Sequence, residues 1–178
     1  MERIFGKPLI TQREIEKRIK ELGTKITADY DNKDLVMICV LKGAYVFFAD
    51  LVRNIHIPVS VDFMMVSSYG RKTRSTGVVK IISDLSSAIK GRDVLLVEDI
   101  ADSGLTLSYI FKTLKAKKPK SIKLCVLLDK VERRKYELPI DYVGFTIPNK
   151  YVIGYGLDYQ DKYRNLPYVA VLDISEEE

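Results

Sequence analysis

Histidine and cysteine are scarce in this chain: one His and two Cys among 178 residues. Cys39 and Cys125 each lie inside an apolar run, Val36–Leu41 and Leu124–Leu128, where a free thiol behaves as a small buried hydrophobe. A disulfide framework is therefore not expected. A structural zinc site would need carboxylates to complete four ligands, and neither CxxC nor HxxxH spacing occurs. Any metal should be a hard cation held by oxygens. His56 would have to serve as the base of any His-dependent triad, yet it stands among Ile55, Ile57 and Pro58, which favours a structural role. Long apolar runs are missing as well. The longest, Leu35–Leu41, is far short of the ~18–20 residues that span a bilayer. The N-terminus alternates charged and apolar residues and lacks the continuous apolar segment of a secretory signal, so the chain reads as cytoplasmic. Glycine and proline, at 10 and 6, are too few for a collagen-like or low-complexity chain.

What is present has the balance of a globular domain: 47% hydrophobic and 30% charged residues, with 29 Lys+Arg against 24 Asp+Glu for a formal net charge of +5. At roughly 100–200 residues per domain, residues 1–178 make one domain. Thr11-Gln12-Arg13-Glu14 reads as a capping box, after which Ile15, Ile19 and Leu22 share a helical face and Gly23 offers a C-terminal cap. Strands are expected near 34–41, 58–66, 78–83, 93–99, 121–128, 140–146 and 168–174, with helices near 43–53 and 104–116. Several strand runs are nearly continuous rather than alternating, as in a parallel sheet covered on both faces. Strands interleaved with helices give an α/β class. Two stretches break the pattern. Residues 67–77 are polar, bounded by glycine and long for a strand connection, which points to a mobile functional loop. Residues 149–164 are rich in Tyr, Gly and charge without a clean period, and read as a surface excursion.

The chemistry concentrates in Val94–Thr106, a buried strand ending in the adjacent carboxylates Glu98 and Asp99, followed by a turn carrying Asp102, Ser103, Gly104 and Thr106 and then a helix. Backbone N–H groups and two hydroxyls at a helix N-terminus make a site for a phosphate monoester. Glu98 and Asp99 would repel that phosphate unless they face hydroxyls or a divalent cation. The segment therefore expects a ligand with phosphate at one end and vicinal hydroxyls plus metal at the other. The same residues also fit an acidic turn in which Ser103 caps the helix. Neither a Walker loop nor a dinucleotide fingerprint is present. The lysines of 115–120 lack interleaved aromatics and read as a solvated connection.

Val97-Glu98-Asp99-Ile100-Ala101-Asp102-Ser103-Gly104-Leu105-Thr106 resembles the phosphoribosyl-pyrophosphate motif of type I phosphoribosyltransferases, in the form found in hypoxanthine-guanine phosphoribosyltransferases. Leu41-Lys42-Gly43, Ser68-Tyr69-Gly70, Asp129-Lys130 and Lys150–Tyr159 resemble further segments of that family in the same order, so the resemblance covers nearly the whole chain. It implies a mostly parallel twisted sheet flanked by helices, with a small hood formed by the chain ends. It also implies a purine-salvage pentosyltransferase that moves 5-phosphoribosyl from phosphoribosyl pyrophosphate to N9 of hypoxanthine or guanine, giving IMP or GMP and pyrophosphate. Magnesium as cofactor and a homodimer or homotetramer come with it, and no nucleic acid or membrane partner.

By the same resemblance, Glu98 and Asp99 engage the ribose hydroxyls and the metal, and Asp102, Ser103, Gly104, Leu105 and Thr106 cradle the 5′-phosphate. Asp102 is the general base or proton relay at purine N7. Lys42 and Gly43 bind pyrophosphate through a strained peptide at their start, and Arg164 reaches it, matching an Arg in the family's Tyr/Phe-Arg segment. Lys130 donates to the exocyclic oxygen of a 6-oxopurine, Tyr151 stacks on the base, Val152 meets its edge, and Asp158 holds a second magnesium. Ser68 and Tyr69 belong to a loop that closes over the reacting centre. Leu105 stands where some relatives carry Lys, and Ser103 replaces Thr; main-chain N–H and hydroxyl bonds to phosphate remain available. The net positive charge admits a second reading, a regulatory RNA-binding relative of the pyrimidine type, which should not need Asp102 together with Lys130. A silent nucleotide-binding module is the third, and the acidic set at 98, 99, 102 and 158 argues against it.

Overall fold

Leu35–Leu41 has no polar side, so it can be satisfied only as a strand covered on both faces. The computed structural model, which describes residues 3–4, 7–68 and 79–173, places it at the centre of the molecule. In chain order the elements are β1 (Arg3–Ile4), α1 (Gln12–Asp29), β2 (Leu35–Leu41), α2 (Tyr45–Arg53), β3 (Val59–Ser68), β4 (Val79–Ser83), β5 (Asp93–Ala101), α3 (Leu105–Ala116) and β6 (Ser121–Asp129). A 3-10 turn (Val131–Arg133), β7 (Tyr142–Thr146), β8 (Val152–Ile153) and β9 (Ala170–Asp173) complete the chain. The main sheet has the order β4-β3-β2-β5-β6-β7, parallel except for β4 at its edge. The period of two along each strand divides the apolar residues cleanly. Met37, Cys39, Leu95 and Val97 pack with Ile15, Ile19, Phe47 and Leu51 of α1 and α2. Val36, Ile38, Val40, Val94 and Leu96 pack with Leu107, Ile110 and Leu114 of α3 on the opposite face.

This order fixes where a ligand can bind. The chain leaves β2 through α2 toward β3 on one side, and leaves β5 through α3 toward β6 on the other, so β2 and β5 flank a topological switch point. Pairing of β2 with β5 ends at Cys39↔Val97, whereas β5 stays paired with β6 as far as Ala101↔Asp129. Residues 98–101 therefore border a crevice on their β2 side, at the carboxyl end of the sheet. A second sheet of order β1-β9-β8 joins the two chain ends into the expected hood. Among the described residues no helix is long and apolar enough to cross a membrane.

Several expectations need correction. The capping box at Thr11 forms, with Thr11 N–H donating to Glu14 Oε2 at 2.8 Å, but Gly23 does not end α1. The helix runs on to Asp29, and Gly23 is the point where it crosses the end of α2, since a methyl group there would overlap Asn54. The strand expected to end at Glu98 and Asp99 continues two residues past them, to Ala101. The N-cap of α3 is Gly104, at φ 83°, with no side-chain cap, and not Ser103. Residues 149–164 are a surface excursion only in part: 149–151 and 160–162 are exposed, but the stretch contains β8, and 152–157 are buried. Their period is obscured because positive φ at Gly154, Tyr155 and Gly156 folds the chain in on itself. His56 is exposed, near the start of β3 and away from the carboxyl ends of the parallel strands.

Candidate active site

A cleft of about 210 Å³ opens at the end of β5, lined by Glu98, Asp99, Asp102, Ser103, Gly104 and Thr106 among others. Its floor is the carboxyl pair. Glu98 is buried, and its Oε1 accepts from Asp99 N–H at 3.1 Å. Burial lifts the Glu98 carboxyl well above its usual range, and the charge of Asp99 lifts it further. Asp99 is raised too, by burial first, with the Glu98 hydrogen bond and the Arg164 cation opposing. A pair of carboxyls whose charge is suppressed in this way is a place where a cation gains more than it would on an open surface. The wall is the N-terminus of α3. Ser103 Oγ accepts from Leu105 N–H at 3.4 Å, a long bond that leaves the first turn turned toward the cleft.

The second border comes from β2 and the hood. The Leu41–Lys42 peptide is cis. Gly43 is wedged between two neighbours, because a methyl group there would overlap the Asp99 carboxylate, and one on Gly156 would overlap the Gly43 carbonyl. Only glycines allow these backbones to approach, and Gly156 also needs its φ of 100°. The hood is tied down by Tyr155, whose hydroxyl donates to Asp50 Oδ2 of α2 at 2.6 Å. Arg164 donates through Nη1 to Gly156 O at 2.7 Å and through Nη2 lies 2.7 Å from Asp158 Oδ1. Asp161 Oδ1 lies 3.5 Å from the same guanidinium and 3.6 Å from Lys42 Nζ, bringing Lys42 and Arg164 to one place from opposite ends of the sequence.

The third border is the turn after β6. Lys130 N–H donates to Ala101 O at 3.0 Å, and the N–H groups of Lys135 and Tyr136 both donate to Ser103 O. The lysine is buried, which lowers its ammonium pKa, while the Asp102 charge acts to raise it. The stretch after it is the 3-10 turn, from which Arg133 Nε reaches Asp102 Oδ1 at 3.2 Å. Tyr151 is exposed, donates to Asp158 O at 3.2 Å and sits edge-to-face with Tyr159. Val152 is buried in β8 and pairs with Val171.

The whole chain has relatives with this arrangement. Residues 9–160 match the phosphoribosyl transferase domain. The chain belongs to that family. This phosphoribosyl transferase is 51% identical over 172 residues to the hypoxanthine-guanine phosphoribosyltransferase of Bacillus subtilis (strain 168), covering 97% of this chain and 96% of the relative. It is 50% identical over 168 residues to the Dictyostelium discoideum protein of the same name, covering 92% and 93%. The solved hypoxanthine phosphoribosyltransferase of Staphylococcus aureus matches with a TM-score of 0.91 at 46% identity, over 96% of this chain and 92% of that one.

Most of the residues singled out from sequence meet around this crevice: Glu98, Asp99, Asp102, Ser103, Gly104 and Thr106 line it, whereas Leu105 does not, Lys42 and Gly43 close one side, and Arg164 with Asp158 face them from the hood. Glu98, Asp99 and Asp158 are not gathered into one cage, since among the described residues no three His, Cys, Asp or Glu side chains converge on a metal position. The loop with Tyr69 lies outside the described residues, and Ser68 ends β3 in register with Val79. Arg133 and Asp161 were missed. Neither belongs to a periodic run, and the only signal they offered was charge beside a motif residue.

Proposed function

We propose that this phosphoribosyl transferase acts in purine salvage, moving the 5-phosphoribosyl group of phosphoribosyl pyrophosphate to N9 of hypoxanthine or guanine and giving IMP or GMP plus pyrophosphate. The observation that carries the reading is the crevice at the switch point: the buried Glu98 beside a half-buried Asp99, an uncapped helix N-terminus and Asp102 on the β5 side, joined by backbone hydrogen bonds to the turn bearing Lys130. The names of the bacterial and Dictyostelium relatives support it.

In this reading the residues divide the substrate between them. The first turn of α3, with Ser103 and Thr106, holds the 5′-phosphate through N–H and hydroxyl donors. Glu98 and Asp99 hold the ribose hydroxyls and oppose the positive charge that grows at C1′ as its bond to pyrophosphate lengthens. Lys42, the Gly43 backbone and Arg164 take the departing pyrophosphate. Lys130 donates to O6 of the base, which disfavours adenine because its amino group is itself a donor. Tyr151 stacks on the ring and Val152 meets its edge, while Asp102 accepts the N7 proton. Buried carboxyls with suppressed charge fit magnesium, an octahedral ion that takes one or two protein carboxylates and completes its shell with substrate oxygens and water. Glu98 and Asp99 would hold one ion and Asp158 another, supplying charge neutralisation at pyrophosphate. A homodimer or homotetramer completes the reading.

The test is pyrophosphate release from phosphoribosyl pyrophosphate with hypoxanthine, guanine, xanthine, adenine or uracil, with and without magnesium. Release with oxopurines, dependent on the metal, is expected. Release with uracil, or none with hypoxanthine, would overturn it.

A further inference from the structure

The two oxygens of the Asp102 carboxylate are placed differently. Oδ1 is buried and makes no hydrogen bond, and its nearest cation is the Arg133 guanidinium, with Nε 3.2 Å away. The side chain nonetheless keeps 41% of its surface exposed, so the accessible oxygen is Oδ2, on the cleft side. The Arg133 side chain is half exposed, but the backbone that carries it is held close to this carboxylate. It closes the 3-10 turn, with its own N–H donating to Lys130 O at 3.0 Å, and the turn is fixed at both ends to the loop bearing Asp102 through Ala101 O and Ser103 O. The next residue, Arg134, points elsewhere: its Nη2 donates to Asp129 Oδ2 at 2.8 Å and anchors the turn to the end of β6. Two consecutive arginines thus serve two different aspartates, and the one left for Asp102 is Arg133.

We infer that Arg133 is a positioning residue for phosphoribosyl transfer: it holds Asp102 Oδ1 against the 130–136 turn so that Oδ2 faces N7 of the bound oxopurine. The inference rests on the purine reading above. In the transfer, the C1′–O bond breaks with its electrons leaving on pyrophosphate, C1′–N9 forms, and the N7 proton passes to Asp102 Oδ2. Without the guanidinium the carboxylate is free to rotate, and its buried oxygen loses the cation that stands 3.2 Å away. The base then meets N7 in the productive orientation only part of the time. Phosphate and pyrophosphate contacts lie on other residues, so binding of phosphoribosyl pyrophosphate is not affected.

The experiment is a double-mutant cycle with Arg133→Gln, Asp102→Asn and both together, with Arg133→Lys as the charge-conserving variant. It reads kcat, KM for phosphoribosyl pyrophosphate, IMP affinity and Tm. Arg133→Gln is expected to lower kcat about tenfold, within the range of couplings between contacting residues. KM, IMP affinity and Tm should stay at wild-type values. Arg133→Lys should recover part of the loss, since it restores the charge without the planar fork. In the Asp102→Asn background, Arg133→Gln should cost nothing more. A wild-type kcat for Arg133→Gln, an equal further loss in the double variant, or a fall in IMP affinity and Tm together with kcat each overturns the inference. Full activity of Asp102→Asn alone is a different result: it removes the purine-base reading itself, and the inference with it.

Discussion

Lys130 donates most strongly to a carbonyl oxygen when it is charged, and burial works against that charge, while the neighbouring Asp102 acts to keep it. Because its pKa lies below that of an exposed lysine, its proton leaves early as pH rises. Hypoxanthine turnover should therefore decline on the alkaline side below the usual lysine range, and the decline should vanish in Lys130→Arg, whose guanidinium does not titrate there. Stability should move the other way. Between the folded and unfolded pKa the unfolded chain binds more protons, so the burial penalty is relieved as pH rises through that window. Lys130→Met should lower kcat/KM for hypoxanthine by about tenfold to a hundredfold, the worth of a hydrogen bond to a charged group. Initial rates that keep the hypoxanthine preference in this variant would contradict the role. At this scale the motif around Asp102 was legible because its residues are consecutive and each has a chemical reason to be there. Arg133 was not, because only the 3-10 turn brings it to Asp102.

The elements are held by contacts that local sequence does not announce. Asp62 on β3 is buried, and its carboxylate accepts from the N–H groups of Phe63, Ser86 and Ser87 and from Ser86 Oγ, pinning the 84–87 connection to the sheet. Burial opposes its charge, but these bonds together outweigh it and hold the carboxyl below its usual 3.8. With the folded pKa depressed, this contribution is present above about pH 4 and is lost as pH falls through the folded value. Asp62→Asn should cost about 2 kcal/mol at neutral pH, because buried donors lose an acceptor. Its thermal midpoint should also fall less than that of the wild type on acidification; parallel curves would count against the clamp. Gly156→Ala should lower the midpoint as well, since φ near 100° strains any side chain by about 1–3 kcal/mol. Activity should fall further than stability, because the added methyl group pushes on the Gly43 carbonyl, at the border proposed for pyrophosphate. Helix and strand identities were legible from period and capping, as at Thr11. Ends were not: α1 passes through Gly23 because packing against Asn54, not local propensity, decides that position.

At the scale of the molecule, function follows from one topological fact. β5 outlasts its pairing with β2, and the flank of 98–101 left unpaired on that side carries the carboxyls into a crevice that the β2–α2 connection and the hood close from the other side. The alternation of Met37, Cys39, Leu95 and Val97 against Val36, Ile38, Val94 and Leu96 builds the two cores that hold this flank rigid, and that much was readable from continuous apolar runs. The hood was readable only through family resemblance, because β1 and β8 have two residues each and show no period. In the proposed reading Asp102 is where the phosphate side of the crevice meets the purine side. The most direct measurement is therefore the rate of IMP formation by Asp102→Asn beside its affinity for IMP. Loss of a positioned base predicts a rate lower by about a hundredfold to ten-thousandfold, with IMP still bound as in the wild type. A variant that forms IMP at the wild-type rate would contradict the assignment of the crevice.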